Sequence, residues 1–206
     1  EGSLQADVSA AGSYRVKRAD GQTRTFEVPD LPEPLEIRGP WQVSFPARMD
    51  VPPRTDFERL MSWTEHPQPA IQYFSGTATY GRSLDLPADR LSESRSVLLD
   101  LGRVESLAEV VVNGRHLGVL WKPPFVVDIT AAARPGENTL EIRVTNAWLN
   151  RLIGDKQHPQ GFPDAGPLQF KPQLAADISN RLGTQPAPAG LLGPVRLLTT
   201  ERVGIQ

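Results

Sequence analysis

The 206-residue sequence has no cysteine, only three histidines, and no apolar run approaching the ~18–20 residues of a membrane span. Without cysteine, disulfides, thiolate metal sites and cysteine nucleophiles are excluded together, and the cellular compartment is left open. His66, His116 and His158 are scattered, without metal-ligand spacing. The sequence contains no P-loop, no Gly-x-Gly-x-x-Gly following a strand, no Gly-x-Ser-x-Gly elbow and no His-Glu-x-x-His. Neither charge dominates: 22 Lys+Arg stand against 24 Asp+Glu, for a net −2. No basic stripe interleaves with aromatic residues, so nucleic acid is not an expected partner, and neither is a membrane. The first residues, Glu1-Gly2-Ser3, lack the basic-then-apolar pattern of a signal peptide. The expectation is a chain that starts after a processed leader or inside a longer protein.

Glycine and proline are abundant instead, with 17 Gly and 20 Pro. Their combined share exceeds the ordinary one, which predicts many turns and short elements and argues against a helical bundle. A hydrophobic content of 39% excludes wholesale disorder, and this length supports one good core.

Period-two alternation dominates the hydrophobic pattern. It is clearest over 139–145, where Leu140, Ile142 and Val144 alternate with Glu141 and Arg143, and over 77–86, where Ala78, Tyr80, Arg82, Leu84 and Leu86 share a face. Val97, Leu99 and Leu101 mark another strand. Residues 107–112 run into Asn113-Gly114, a strong hairpin signal because a type I′ turn needs positive φ at both central residues. The return strand is expected over 116–121, with further strands at Phe125, Val127 and Ile129, at 195–203, and within 35–45, broken at Gly39-Pro40. Short strands at regular spacing predict a sandwich or barrel. Two short helices are expected. One spans 55–61, from the capping box Thr55-Asp56-Phe57-Glu58. The other spans 173–182, from Leu174, Ile178 and Leu182 at four-residue spacing before Gly183. It lies in a Pro- and Gly-rich stretch over 154–193, long enough to suggest a functional loop or an interdomain contact. Residues 1–34 read as a separate unit: a hairpin across Asp20-Gly21 and a proline-rich connector, in keeping with the tail of an upstream domain. Residues 35–206 form the main sandwich.

Candidate functional residues come from aromatic side chains placed beside turns with amide or charged neighbours. Sugars present apolar C–H faces ringed by hydroxyls; aromatic rings stack on the faces, and Asn, Asp, Arg and Lys bind the hydroxyls. The candidates are Trp121 and Lys122 before Pro123-Pro124, and Trp148 with Asn150, Arg151 and Asp155 after the cleanest strand. Trp63 and Tyr73 are added from the 63–74 stretch. The competing reading makes these tryptophans plugs at the ends of a sandwich. Trp41, inside a strand-like run, is expected in the core.

A more specific signal is a resemblance. Tyr73-Phe74-Ser75-Gly76-Thr77-Ala78-Thr79-Tyr80, Leu99-Asp100-Leu101-Gly102, Val111-Val112-Asn113-Gly114 and Pro135-Gly136-Glu137-Asn138-Thr139-Leu140 resemble the sugar-binding jelly roll of family 2 glycoside hydrolases. Residues 62–67, 118–125, 144–155 and 190–195 are similar to the C-terminal β-sandwich of family 106 α-L-rhamnosidases. Together the similar stretches cover roughly 39–200. The resemblance implies an all-β, galactose-binding-like jelly-roll sandwich with one or two short helices. It places the catalytic carboxylates of such a hydrolase in a separate barrel domain, so no catalytic residue is assigned to this chain. It further implies a bacterial periplasmic or extracellular location, with a polysaccharide and the parent's catalytic domain as partners. No cofactor is required. A structural Ca²⁺ is compatible with the fold class, though no Asp-rich loop marks its site. The leading function is non-catalytic carbohydrate binding within an α-L-rhamnosidase-like hydrolase acting on rhamnose-containing polysaccharide. The alternative is an accessory domain that buttresses the catalytic barrel without binding sugar. A chain that is itself an active enzyme is the third reading.

Overall fold

The structure, a computed structural model, describes residues 5–47, 51–158 and 185–205. In chain order the first strands are β1 (Gln5–Val8), β2 (Gly12–Lys17), β3 (Thr23–Val28), β4 (Leu35–Glu36), β5 (Trp41–Ser44) and β6 (Arg54–Phe57). A 3-10 turn at Trp63–Glu65 and the one-turn helix α1 (Pro69–Gln72) precede β7 (Thr77–Leu86). The middle of the chain supplies β8 (Arg95–Asp100), β9 (Arg103–Glu105), β10 (Leu107–Val112), β11 (Arg115–Leu120), β12 (Val126–Asp128) and β13 (Gly136–Thr145). Helix α2 (Leu149–Gln157), β14 (Gly190–Gly193) and β15 (Arg196–Gly204) follow.

Two antiparallel sheets face each other. One runs β11-β10-β13-β7-β5-β6; the other runs β1-β15-β8-β12, with β4 also pairing β15. Alternation explains the arrangement. Strands β7 and β13 pair along their whole lengths, so Ile142 lies opposite Tyr80 and Val144 opposite Ala78 on the inner face. Val97, Leu99 and Leu197 close the same continuous core from the second sheet, and Trp41 is fully buried within it. The fold is an all-β sandwich with short helices, as the hydrophobic period predicts.

Asparagines fasten the turns. Asn113 and Gly114 adopt φ of 51° and 76°, the expected primed hairpin geometry. Asn113 donates to Asn138 Oδ1 at 2.7 Å and accepts from the Thr139 amide at 2.9 Å, while Asn138 donates to the carbonyls of Arg134 and Gly136 at 2.8 Å. Asn146 accepts from the Gly76 amide and donates to the Phe74 carbonyl. These motif residues therefore hold the fold together. His66 is structural too: it stacks on Phe57 at 5.4 Å, and burial lowers its pKa.

Two local expectations need correction. Residues 54–57 form strand β6, not the start of a helix: Phe57 is buried opposite Trp41 and Thr55 pairs Val43, so sheet pairing overrides the capping box. Residues 149–157 form helix α2 where a turn is expected, because Leu149, Leu152 and Ile153 supply an apolar face at i, i+3 and i+4. Helix α1 has no anticipated counterpart; Pro69 sits in its first turn, where a missing N–H costs nothing. The helix expected over 173–182 lies outside the described residues. Towards the N-terminus, β1 extends the second sheet by pairing β15, while β2 and β3 form their own hairpin, tied to the body by an Arg18 bond to the Ile205 carbonyl.

Candidate functional site

A bulge decides which side chains reach solvent at the edge of the larger sheet. Leu117 and Leu120 both pack on the core, although three residues apart on one strand. The β10–β11 ladder shifts register between them, and Gly118 sits there at φ 113°, a backbone conformation that glycine accepts readily. The extra residue puts Val119 and Trp121 on the outside, 49% and 70% exposed.

Trp121 stands beside an open groove of about 540 Å³. Buried Val104 and Phe125 form its apolar floor, and Arg103, Glu105, Ser106 and the Trp121-Lys122 pair form its walls. Lys122 lies over the indole, its Nζ 5.3 Å from the ring centroid, within the range of a cation–π attraction. Arg103 directs Nε and one terminal nitrogen at Glu105 Oε1, both at 2.9 Å. The Ser106 amide donates to the Thr145 carbonyl at 3.2 Å, which joins this wall to the end of β13.

Trp148 follows that end by three residues. Strands β11 and β13 flank β10, so the strand ends that lead into Trp121 and towards Trp148 lie at one end of the sheet, about 10 Å apart. Trp148 is 51% exposed at the start of α2. Its replacement by alanine is expected to lower stability by at most about half of the ~3–5 kcal/mol typical of a buried tryptophan. Urea denaturation of the two proteins measures this, and a larger loss would make Trp148 a plug.

The remaining candidates do not face solvent. Trp63 is fully buried among Phe45, Phe74 and Tyr80, its Nε1 donating to Tyr80 Oη at 2.5 Å, so no ring face is left for a sugar. Burial also pushes the Tyr80 phenol well above its ordinary pKa. Tyr73 is buried against Ile153 and donates to Gln157 Oε1 at 2.6 Å. Asn150 clasps the Ala187 backbone, donating to its carbonyl at 2.8 Å and accepting from its amide at 2.9 Å. Arg151 and Asp155 form a buried ion pair at 2.7 Å. These five side chains serve the fold. Arg103, Glu105 and Ser106 enter the site unanticipated, because long-range links, the pairing of β9 with distant β14 and the Ser106–Thr145 bond, hold this segment in place. Among the described residues, no group of three or more His, Asp or Glu is placed to hold a metal ion.

The sequence profile of the family described as "Glycosyl hydrolase 2 galactose-binding domain-like" matches residues 63–183. The chain belongs to this family. The galactose-binding-like domain is also similar to proteins far longer than itself. It is 35% identical over 212 residues to a protein of Formosa agariphila named "Putative beta-glucuronidase", a match covering 96% of this chain and 18% of that one. In the solved rhamnosidase from Novosphingobium sp. PP1Y, a region with 31% identity and a TM-score of 0.68 covers 95% of this chain and 21% of that enzyme. The domain thus spans about a fifth of the length of each.

Proposed function

We propose that this galactose-binding-like domain is a non-catalytic carbohydrate-binding module of a glycoside hydrolase, and that its sugar surface is the groove beside Trp121. The observation that carries the reading is a 70%-exposed indole beside an apolar-floored groove rimmed by Arg103, Glu105 and Lys122. An aromatic platform with hydroxyl-binding groups around it is what a sugar ring requires. The likeness to a rhamnosidase supports a rhamnose-containing polysaccharide as the ligand of the parent enzyme. A secreted or periplasmic setting accords with such a substrate.

Titration of the 206-residue chain with neutral rhamnose-containing oligosaccharides tests the proposal. Trp121→Ala is expected to weaken binding by about 1–3 kcal/mol, roughly 5- to 150-fold, with the melting temperature unchanged. Equal affinity in the wild-type and variant chains would remove the groove from consideration. One observation favours a second reading: Val119 and Trp121 expose adjoining apolar surface on an edge strand, which suits packing against a catalytic domain. That reading expects no glycan binding by the chain, and a weaker association with the catalytic domain when Trp121 is removed.

A further inference from the structure

The charge around the groove points to the class of sugar, an inference that rests on the carbohydrate-binding reading above. Arg38, Arg95, Arg143 and Arg202 each have a carboxylate within ion-pair distance, while Arg82, Arg115 and Arg134 bond backbone carbonyls instead. Lys122 has none among the described residues; its recorded contact is the Trp121 ring. In the same groove, the Arg103 nitrogens that pair with a carboxylate both go to one oxygen of Glu105. The second terminal nitrogen of Arg103 makes no hydrogen bond among the described residues. Two cations therefore face one carboxylate, and that carboxylate is already held by Arg103.

We propose that the groove recognises an anionic sugar, whose apolar ring face lies on the open side of Trp121 and whose charged group reaches past the edge of the indole to the exposed Lys122 side chain. The ammonium and the indole are held together, so the two contacts are offered side by side. Arg103 supplies a further N–H to the same anion, as guanidinium groups do for carboxylates and sulfates alike. The shared chemistry is an anionic substituent on a pyranose, either a uronate carboxylate or a sulfate ester.

The test is titration calorimetry on the 206-residue chain at low salt, with four probes. These are tetragalacturonate, its fully methyl-esterified form, a sulfated carrageenan tetraose, and a neutral rhamnose-containing oligosaccharide. The wild-type chain is expected to bind at least one anionic probe on the order of tenfold more tightly than the methyl ester, with the advantage shrinking as salt screens the pair. Preference for tetragalacturonate identifies a carboxylate, and preference for the carrageenan identifies a sulfate. Lys122→Gln, exposed and so expected to melt with the wild type, should bind the acid and its ester equally. Equal binding of acid, sulfate and ester by the wild-type chain, or an anion preference that survives Lys122→Gln, would overturn the proposal. If the neutral oligosaccharide still binds through Trp121 in that case, the sugar site stands and only its anion specificity falls. If no probe binds at all, the carbohydrate reading falls with it.

Discussion

Gly190→Ala is expected to destabilise the chain by about 3–8 kcal/mol and to lower its melting temperature by on the order of 10 °C. Three costs combine. Gly190 has φ of 101°, and an L side chain in the left-handed region costs about 1–2 kcal/mol. A Cβ there would lie 2.6 Å from Trp63 Nε1 and 2.7 Å from Tyr80 Oη, which forces overpacking worth about 1–3 kcal/mol. The atoms it meets are the partners of a buried hydrogen bond, whose loss would leave a polar group unsatisfied at about 1–3 kcal/mol. The rings cannot move aside easily, because Phe45 and Phe74 wedge Trp63 from the other side and Tyr80 Oη also accepts from the Leu191 amide at 3.1 Å. Urea denaturation checks the value; a change below about 1 kcal/mol would mean that this end of the core is loosely packed.

The same cluster shows why the strands were legible in the sequence and some neighbouring elements were not. Strands β7 and β13 pair along their full length, so residue environment follows parity; alternation gives the bounds of β7 and the end of β13, but misses the first three residues of β13. Over 55–61 two local codes compete. Thr55 and Glu58 read as a capping box, yet Phe57 gains more from burial opposite Trp41 than the chain gains from one helical turn. Helix α2 carried a readable signal in Leu149, Leu152 and Ile153, obscured by the polar Asn150, Arg151 and Asp155 interleaved with it.

The candidate site was legible only as a residue class. Trp63 and Trp121 look alike in sequence, each beside polar neighbours and a turn. Tertiary structure separates them: the 3-10 turn at Trp63–Glu65 drives one ring beneath Tyr80, and the bulge at Gly118 turns the other outward. Local periodicity carries no information about Arg103 or Glu105, because the β9–β14 register that sets the groove wall joins segments distant in the chain.

Removing one member of the Arg151–Asp155 pair is expected to cost about 3–5 kcal/mol, and removing both together much less than the sum. Arg151 stands in the first turn of α2 and Asp155 near its end. This is the reverse of the order that complements the helix dipole, so on an exposed helix the pair would contribute little. Its weight comes from burial: the side chains are 7% and 0% exposed, with Nε and Oδ1 2.7 Å apart. Asp155→Leu would take this carboxylate from a buried guanidinium, and Arg151→Met would take this guanidinium from a buried carboxylate. The double variant Arg151→Met/Asp155→Leu places apolar groups of similar reach on both positions and leaves neither charge of the pair in the core. The pair also holds α2 where Arg151 N bonds Ser75 Oγ at 3.0 Å and Asn150 clasps Ala187, so the singles should loosen the whole end of the sandwich on which Trp148 stands. Urea denaturation of wild type, both singles and the double closes the cycle. Singles within about 1 kcal/mol of wild type, or a double that costs the full sum, would show that water reaches the pair and that packing of Leu152 and Ile153 alone secures the helix.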